Sequence, residues 1–130
     1  MGLHQRLLWG LSLLALTACA TVKSYDGARY RVGSAAFRSY LEQVFRLQNQ
    51  TVDELAFAQE DLILSRADTA IALSEAEARL LKACSELNRL AVSRRDQTPM
   101  GRAESLVAAR SVAECERASH AGQEILRALQ

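Results

Sequence analysis

The three cysteines are the residues of this chain that could do the most chemistry, because a thiol can accept a lipid, form a disulfide or act as a nucleophile. Cys19 closes an apolar run near the amino terminus, whereas Cys84 and Cys115 lie in the rest of the chain. An odd number of cysteines in an exported protein leaves one of them without a disulfide partner. The surroundings of each cysteine therefore decide which chemistry we assign to it.

The amino-terminal segment has the parts of an export signal. Arg6 and the amino terminus supply positive charge, and residues 7–16 form an apolar run that is too short to span a bilayer. The run leads into the sequence Leu16, Thr17, Ala18 and Cys19. This ending resembles the lipobox of bacterial lipoprotein precursors, in which an aliphatic residue and two small residues precede a cysteine. The resemblance covers the first 19 residues only.

The resemblance implies that diacylglycerol is attached to the Cys19 thiol, that the chain is cut before Cys19, and that the new amino terminus is acylated. Two or more acyl chains anchor a protein stably, whereas one chain binds marginally. Ala20 stands where Asp favours inner-membrane retention in enteric lipoproteins, so the resemblance implies the outer membrane, facing the periplasm. An ordinary secretory signal with an incidental cysteine, or a short uncleaved anchor, is the alternative.

With Cys19 assigned to lipid, Cys84 and Cys115 remain as a pair in an oxidising compartment. Thr98 and Pro99 independently predict a turn, with Thr98 as N-cap and Pro99 as the first residue of the last helix. In an antiparallel hairpin, facing residues are equally distant from the turn, and the midpoint of the two cysteines falls at residues 99–100. A disulfide is therefore predicted, with two buried free thiols as the alternative.

The composition and periodicity of the remaining chain are those of a helical protein. Residues 34–96 contain neither Gly nor Pro, and apolar residues recur there at helical spacing. One helix of that length would reach about 90 Å, so we predict a turn near residues 65–69. The expected fold is all-α, an antiparallel three-helix bundle. It has four helices if the capping-box pattern beginning at Thr51 breaks the first helix near residue 50.

We divide the chain into a lipoprotein signal peptide (residues 1–18), a lipidated N-terminus with a flexible tether (residues 19–33) and a helical domain (residues 34–130). The tether is predicted because residues 20–33 lack helical periodicity and contain Gly27 and Gly33. In the last helix, small side chains are expected to let a neighbouring helix approach closely; they are Ala108, Ser119 and Gly122.

Residues suited to catalysis or metal binding are sparse. His120 is the one histidine that remains after the predicted cleavage, and we expect it to be a surface or packing residue. The sequence offers no metal-ligand spacing, no catalytic triad and no glycine-rich phosphate loop. We therefore expect no enzymatic activity, no metal and no other cofactor. A formal net charge of +1 argues against nucleic acid as a partner.

Charged residues concentrate in two places. The acidic group comprises Asp53, Glu54, Glu60 and Asp61, and the basic group comprises Arg89, Arg94, Arg95 and Arg102 around the predicted hairpin tip. An up-down-up bundle returns this tip toward the membrane. Arg94, Arg95 and Arg102 are therefore predicted to contact anionic lipid head groups or a partner protein, and a solvated face is the alternative.

These features predict a lipid-anchored envelope protein that acts as a structural or accessory interaction module. It would dock on an unknown envelope protein through helix packing. The alternative is an escort or chaperone for an outer-membrane secretion component. In size, lipidation and helicity the chain resembles the pilotin lipoproteins of secretion systems, although no pilotin sequence motif is present.

Overall fold

A computed structural model describes residues 20–130, so the predicted signal peptide (residues 1–18) and lipid acceptor Cys19 lie outside the described residues. Within residues 20–130, two short strands precede four helices. They are β1 (Thr21–Lys23), β2 (Arg29–Arg31), α1 (Ala35–Leu62), α2 (Ala67–Ala83), α3 (Ser85–Arg95) and α4 (Arg102–Arg127). The predicted all-α bundle is confirmed, and a two-stranded sheet that the sequence did not predict is added to it.

Helix α1 is continuous through residue 50, so the alternative of a break there is wrong. The Thr51 side chain is buried, and its hydroxyl donates a hydrogen bond of 2.8 Å to the carbonyl of Leu47 in the preceding turn. A threonine inside a helix commonly makes this bond, which leaves it no role as a cap. The N-cap of the helix is instead Ser34, whose hydroxyl accepts a hydrogen bond of 3.0 Å from the Phe37 N–H.

The chain forms three antiparallel arms: α1, then α2 with α3, then α4. The first turn occupies residues 63–66 and overlaps the predicted turn at residues 65–69. Helices α2 and α3 are separated only at Cys84, whose φ and ψ of −93° and 1° interrupt the helix. The fourth helix therefore results from a local break at a cysteine, and the three-arm topology is the one that the sequence predicted.

The second turn contains Thr98 and Pro99 as predicted, but neither residue starts the last helix. Helix α4 begins at Arg102 with Gly101 as its N-cap. The Gly101 N–H donates to the Glu104 carboxylate at 3.2 Å. Thr98 instead accepts a hydrogen bond from a serine hydroxyl of α3 through its carbonyl. The capping role predicted for Thr98 is therefore wrong.

Residues 20–33 differ from the flexible tether that we predicted. Strands β1 and β2 pair antiparallel, with Val22 opposite Tyr30. Val22 is buried, and Tyr30 stacks on a tyrosine ring of α1 with ring centroids 4.5 Å apart. Gly27 and Gly33 have φ of 92° and 85°, which few other residues adopt. The two glycines make the hairpin turn and the turn into α1, so they are sites of defined geometry.

The predicted close approach of helices occurs between α1 and α4. Ser119 is fully buried, and Gly122 lies where a Cβ atom would stand 2.8 Å from Thr51 Cγ2 and 3.4 Å from Leu55 Cδ1. The first distance is shorter than real Cβ contacts allow. Glycine at residue 122 therefore sets the spacing of the two helices.

We predict that Gly122→Ala destabilises the fold. Overpacking typically costs about 1–3 kcal/mol, which exceeds the helix propensity of about 1 kcal/mol that alanine adds. The melting temperature, measured by circular dichroism, should fall by several degrees.

Gly101→Ala is the matched control, because its new Cβ would meet its nearest neighbour at an ordinary 3.7 Å. It should change the melting temperature less than Gly122→Ala does. An unchanged or raised melting temperature for Gly122→Ala would contradict the close approach of α1 and α4.

Candidate functional site

The structure brings Cys84 and Cys115 together at disulfide distance, with Sγ atoms 2.04 Å apart and Cα atoms 4.5 Å apart. Both residues are fully buried. The register that the midpoint of the two cysteines predicted is therefore the register of the structure. The pair joins the α2–α3 break to the middle of α4, and the Gln48 amide oxygen lies 3.7 Å from Cys115 Sγ.

Gln48 connects the cysteine pair to the other arms of the bundle. Its side chain is buried, and its Nε2 donates to Asn88 Oδ1 of α3 at 2.9 Å. Among the described residues, every buried side-chain nitrogen and oxygen has a hydrogen-bond partner. A satisfied polar group in a core favours one arrangement of the helices over others. This interior therefore holds the register of the arms.

Glu116 of α4 holds the hairpin and α1 at the same time. Its Oε2 accepts hydrogen bonds of 2.7 Å from the Tyr25 backbone N–H and from the Tyr40 hydroxyl. Burial raises the pKa of the Tyr40 hydroxyl above its ordinary value, and the hydrogen bond to Glu116 raises it further. Tyr40 therefore remains a protonated donor, and one carboxylate joins three parts of the chain.

His120 also packs against the hairpin. The Tyr25 ring stacks on the His120 ring with centroids 4.6 Å apart and planes at 29°. The packing role expected for His120 is confirmed, and the same contact explains why Tyr25 remains near α4. The two hairpin tyrosines thus contact rings of the bundle.

The first described residue lies at the end of the bundle that carries the second turn. The Val32 N–H donates to the Ala20 carbonyl at 2.9 Å, which closes the base of the hairpin. Val32, Arg94 and Pro99 line one cleft of about 610 Å³. We call this end, formed by Ala20, residues 32–38 and residues 94–102, the basal end.

The three predicted contact arginines flank the second turn at the basal end. Arg94 shares the cleft with Arg38, Arg95 pairs with Asp96 at 2.8 Å, and Arg102 opens α4. Asp96 offsets one of the three charges. Arg94 and Arg95 also occupy the last turn of α3, where a cation interacts favourably with the helix dipole. Arg94 and Arg95 therefore also stabilise α3, which explains in part why they lie at its carboxyl end.

The opposite end of the bundle exposes large apolar side chains. Helix α1 has 28 residues, which places its ends about 42 Å apart. At the far end, Phe57, Ile63 and Leu64 are 67%, 63% and 98% exposed. We call this end, formed by residues 53–64 and 126–130, the distal end.

A groove of about 620 Å³ crosses the distal end between α1 and α4. Its lining consists of Asp53, Glu54, Phe57, Ala58, Asp61, Leu62, Leu126, Leu129 and Gln130. The sequence showed the acidic group but gave no sign that apolar residues of α4 face it. Exposed Phe57, which lies off the apolar stripe of α1, was the available signal.

Among residues 20–130, no group of three His, Cys, Asp or Glu side chains is arranged to hold a metal ion. No helix within the same stretch is long and apolar enough to cross a membrane. Compared with known protein families, curated proteins and solved structures, the chain matches none of them.

We predict that Glu116→Ala releases the hairpin from the bundle. Tyr25 and Tyr40 would lose a shared charged acceptor, and a hydrogen bond to a charged group is worth about 1.5–3 kcal/mol. Hydrogen exchange of the Val32 amide, which closes the hairpin base, should accelerate more than exchange within α4.

Glu114→Ala is the matched control, because Glu114 is an exposed carboxylate of the same helix. It should leave exchange of the Val32 amide unchanged. Equal protection of this amide in the protein and in Glu116→Ala would show that Glu116 does not hold the hairpin.

Proposed function

We propose that this chain is a lipid-anchored protein of the bacterial envelope, at the outer membrane and facing the periplasm, that acts as a structural or accessory interaction module. The observation that carries the proposal is the separation of the two ends. Ala20, which directly follows Cys19, lies at the basal end with the arginines. The exposed apolar groove lies at the distal end, about one helix length away.

The lipobox resemblance supplies the anchor in this proposal. Acyl chains on Cys19 would emerge one residue from the hydrogen bond between Ala20 and Val32. Because the hairpin packs on the bundle, the anchor would hold the bundle at a defined distance from the bilayer. Exposed cations close to an anionic surface contribute up to about 1 kcal/mol each. Arg94 and Arg102 would therefore set the tilt of the bundle, while the acyl chains retain it.

The proposed docking is by helix packing at the distal end. A third helix can pack into the groove between two helices. Its ridge of side chains then fits into the groove, as in other helical bundles. A protein anchored at its basal end would present this groove away from the membrane, where other envelope components are reached. The module would hold a partner near the membrane and perform no chemistry of its own.

The groove also favours a second candidate, a pilotin-like escort that covers an apolar helix of a secretion component until it reaches the outer membrane. The two candidates differ in what happens to the partner. Without an escort, the partner would be missing from the outer membrane. Without a docking module, the partner would reach the membrane and fail to assemble there. Fractionation of the partner in cells that lack this chain separates the two.

We predict that Cys19→Ala abolishes lipidation, because the Cys19 thiol is the acceptor of the diacylglyceryl group. Cells grown with an alkyne fatty acid should label the parent chain and leave the variant unlabelled. The variant should also retain its uncleaved amino-terminal segment.

A variant with both Cys84→Ser and Cys115→Ser is the control for other thiols, and it should label like the parent. Equal labelling of Cys19→Ala and the parent would end the lipoprotein proposal.

A further inference from the structure

We propose that the distal groove binds a basic amphipathic helix of a partner protein, with apolar side chains on one face and Lys or Arg on both edges of that face. This inference rests on the proposed function, because it names the class of partner that the interaction module would hold. Three properties of the groove carry it: its apolar floor, its acidic rim and its position between two helices.

The floor of the groove is apolar and comes from two helices. Helix α1 contributes Phe57, Ala58 and Leu62, and helix α4 contributes Leu126, while Leu129 follows the end of α4. Two further large apolar residues of the turn, Ile63 and Leu64, are exposed beside it. Clustered exposed apolar residues with a polar rim mark interaction sites in soluble domains. This floor would match side chains spaced i, i+3, i+4 and i+7 along a helix.

The rim of the groove is acidic, and its three carboxylate residues are exposed. Asp53, Glu54 and Asp61 line the groove. Among residues 20–130, none of the ion pairs within 4.0 Å involves any of these three carboxylates. Glu54 does accept a hydrogen bond of 2.8 Å from Gln50, which is uncharged. A partner with cations at the edge of its apolar face would supply an opposite charge.

The carboxyl end of α1 adds to this negative potential. The carboxyl end of a helix carries a partial negative charge. Helix α1 ends at Leu62, in the lining of the groove, and its last turn contains no basic residue. Helix α4 ends beside it with Arg127 in its last turn. The partial negative charge at the end of α4 is therefore offset by a cation of the same helix, whereas that at the end of α1 is not. The groove therefore selects against acidic helices and favours basic ones.

A second copy of this chain is the competing occupant. Two of its cations, Arg94 and Arg102, lie at the basal end, far from its groove. If the basal end of one copy bound the distal end of the next, the interface would be heterologous. Heterologous interfaces build open filaments unless the copies close into a ring. Two copies anchored in one membrane present these ends at different heights. We therefore assign the groove to a different protein.

The test uses the full chain held in nanodiscs of phosphatidylcholine, with empty nanodiscs as the blank. The probe is a fluorescent 18-residue helical peptide with leucines along one face and lysines on both edges, compared with the same peptide carrying glutamates instead of lysines. Fluorescence anisotropy should show the lysine peptide bound at least about tenfold more tightly, which corresponds to about 1.4 kcal/mol. Salt should reduce this preference, because the rim carboxylates are solvent-accessible.

Two variants locate the binding. Asp53→Lys with Asp61→Lys should invert the preference between the two peptides, and Phe57→Ser should weaken both. Phe57 is mostly exposed, so its replacement leaves the core intact. Glu42→Lys with Glu75→Lys is the matched control, because it makes the same charge change on exposed carboxylates that do not line the groove. The control should keep the preference of the parent.

Equal binding of the two peptides, or an unchanged preference in the Asp53 and Asp61 variant, would overturn the proposal. Self-association that is detected by sedimentation and removed by Phe57→Ser would assign the groove to a second copy and overturn it as well. Selective peptide binding together with an unlabelled Cys19 would refute the anchor and retain the groove. Labelling of Cys19 together with equal binding of the two peptides would refute the groove proposal and retain the anchor.

Discussion

The carboxylate of Glu116 is the contact on which the functional geometry depends. It accepts hydrogen bonds from the Tyr25 backbone and the Tyr40 hydroxyl, both at 2.7 Å, and so fixes the hairpin to α1 and α4 together. Charged acceptors make the stronger hydrogen bonds in proteins. Because the hairpin is fixed, its base at Ala20 has a defined place at one end of the bundle. Together with the stacking of Tyr25 on His120 and of Tyr30 on Tyr40, this contact gives residues 20–33 a defined place instead of the loose tether that their composition suggests.

A fixed basal end gives the bundle a direction. The arginines that flank the second turn lie beside Ala20, and the apolar groove with its acidic rim lies at the other end of α1. The cysteine pair and the close contact at Gly122 hold the three arms in register between these ends. A bundle with free rotation about a tether could present any face to a partner. This one would present its distal end, and the exposed acidic rim would then favour the binding of basic helices there.

Much of the helical architecture followed from the sequence, and the site did not. The cysteine midpoint and Pro99 agreed on one turn, because a pair of facing cysteines fixes the register of two antiparallel helices and a proline restricts the backbone locally. The capping patterns gave wrong predictions. The Thr51 hydroxyl bonds to a carbonyl of its own helix, and Gly101 is the N-cap of α4 where Thr98 was predicted. The hairpin was missed because strands of three residues give too little alternation to recognise. The groove requires the packing of α1 against α4, which no local pattern encodes.

The orientation of the bundle on a membrane tests the account most directly. A fluorescent amino acid is placed at Arg102 of the basal end or at Leu64 of the distal end, in the lipidated protein on liposomes that contain anionic lipid and head-group nitroxide quenchers. Neither position is in the core, since Arg102 is exposed and Leu64 is 98% exposed. If the basal end faces the membrane, quenching should be strong at residue 102 and weak at residue 64. Stronger quenching at residue 64, or equal quenching at both, would contradict a bundle held by its basal end.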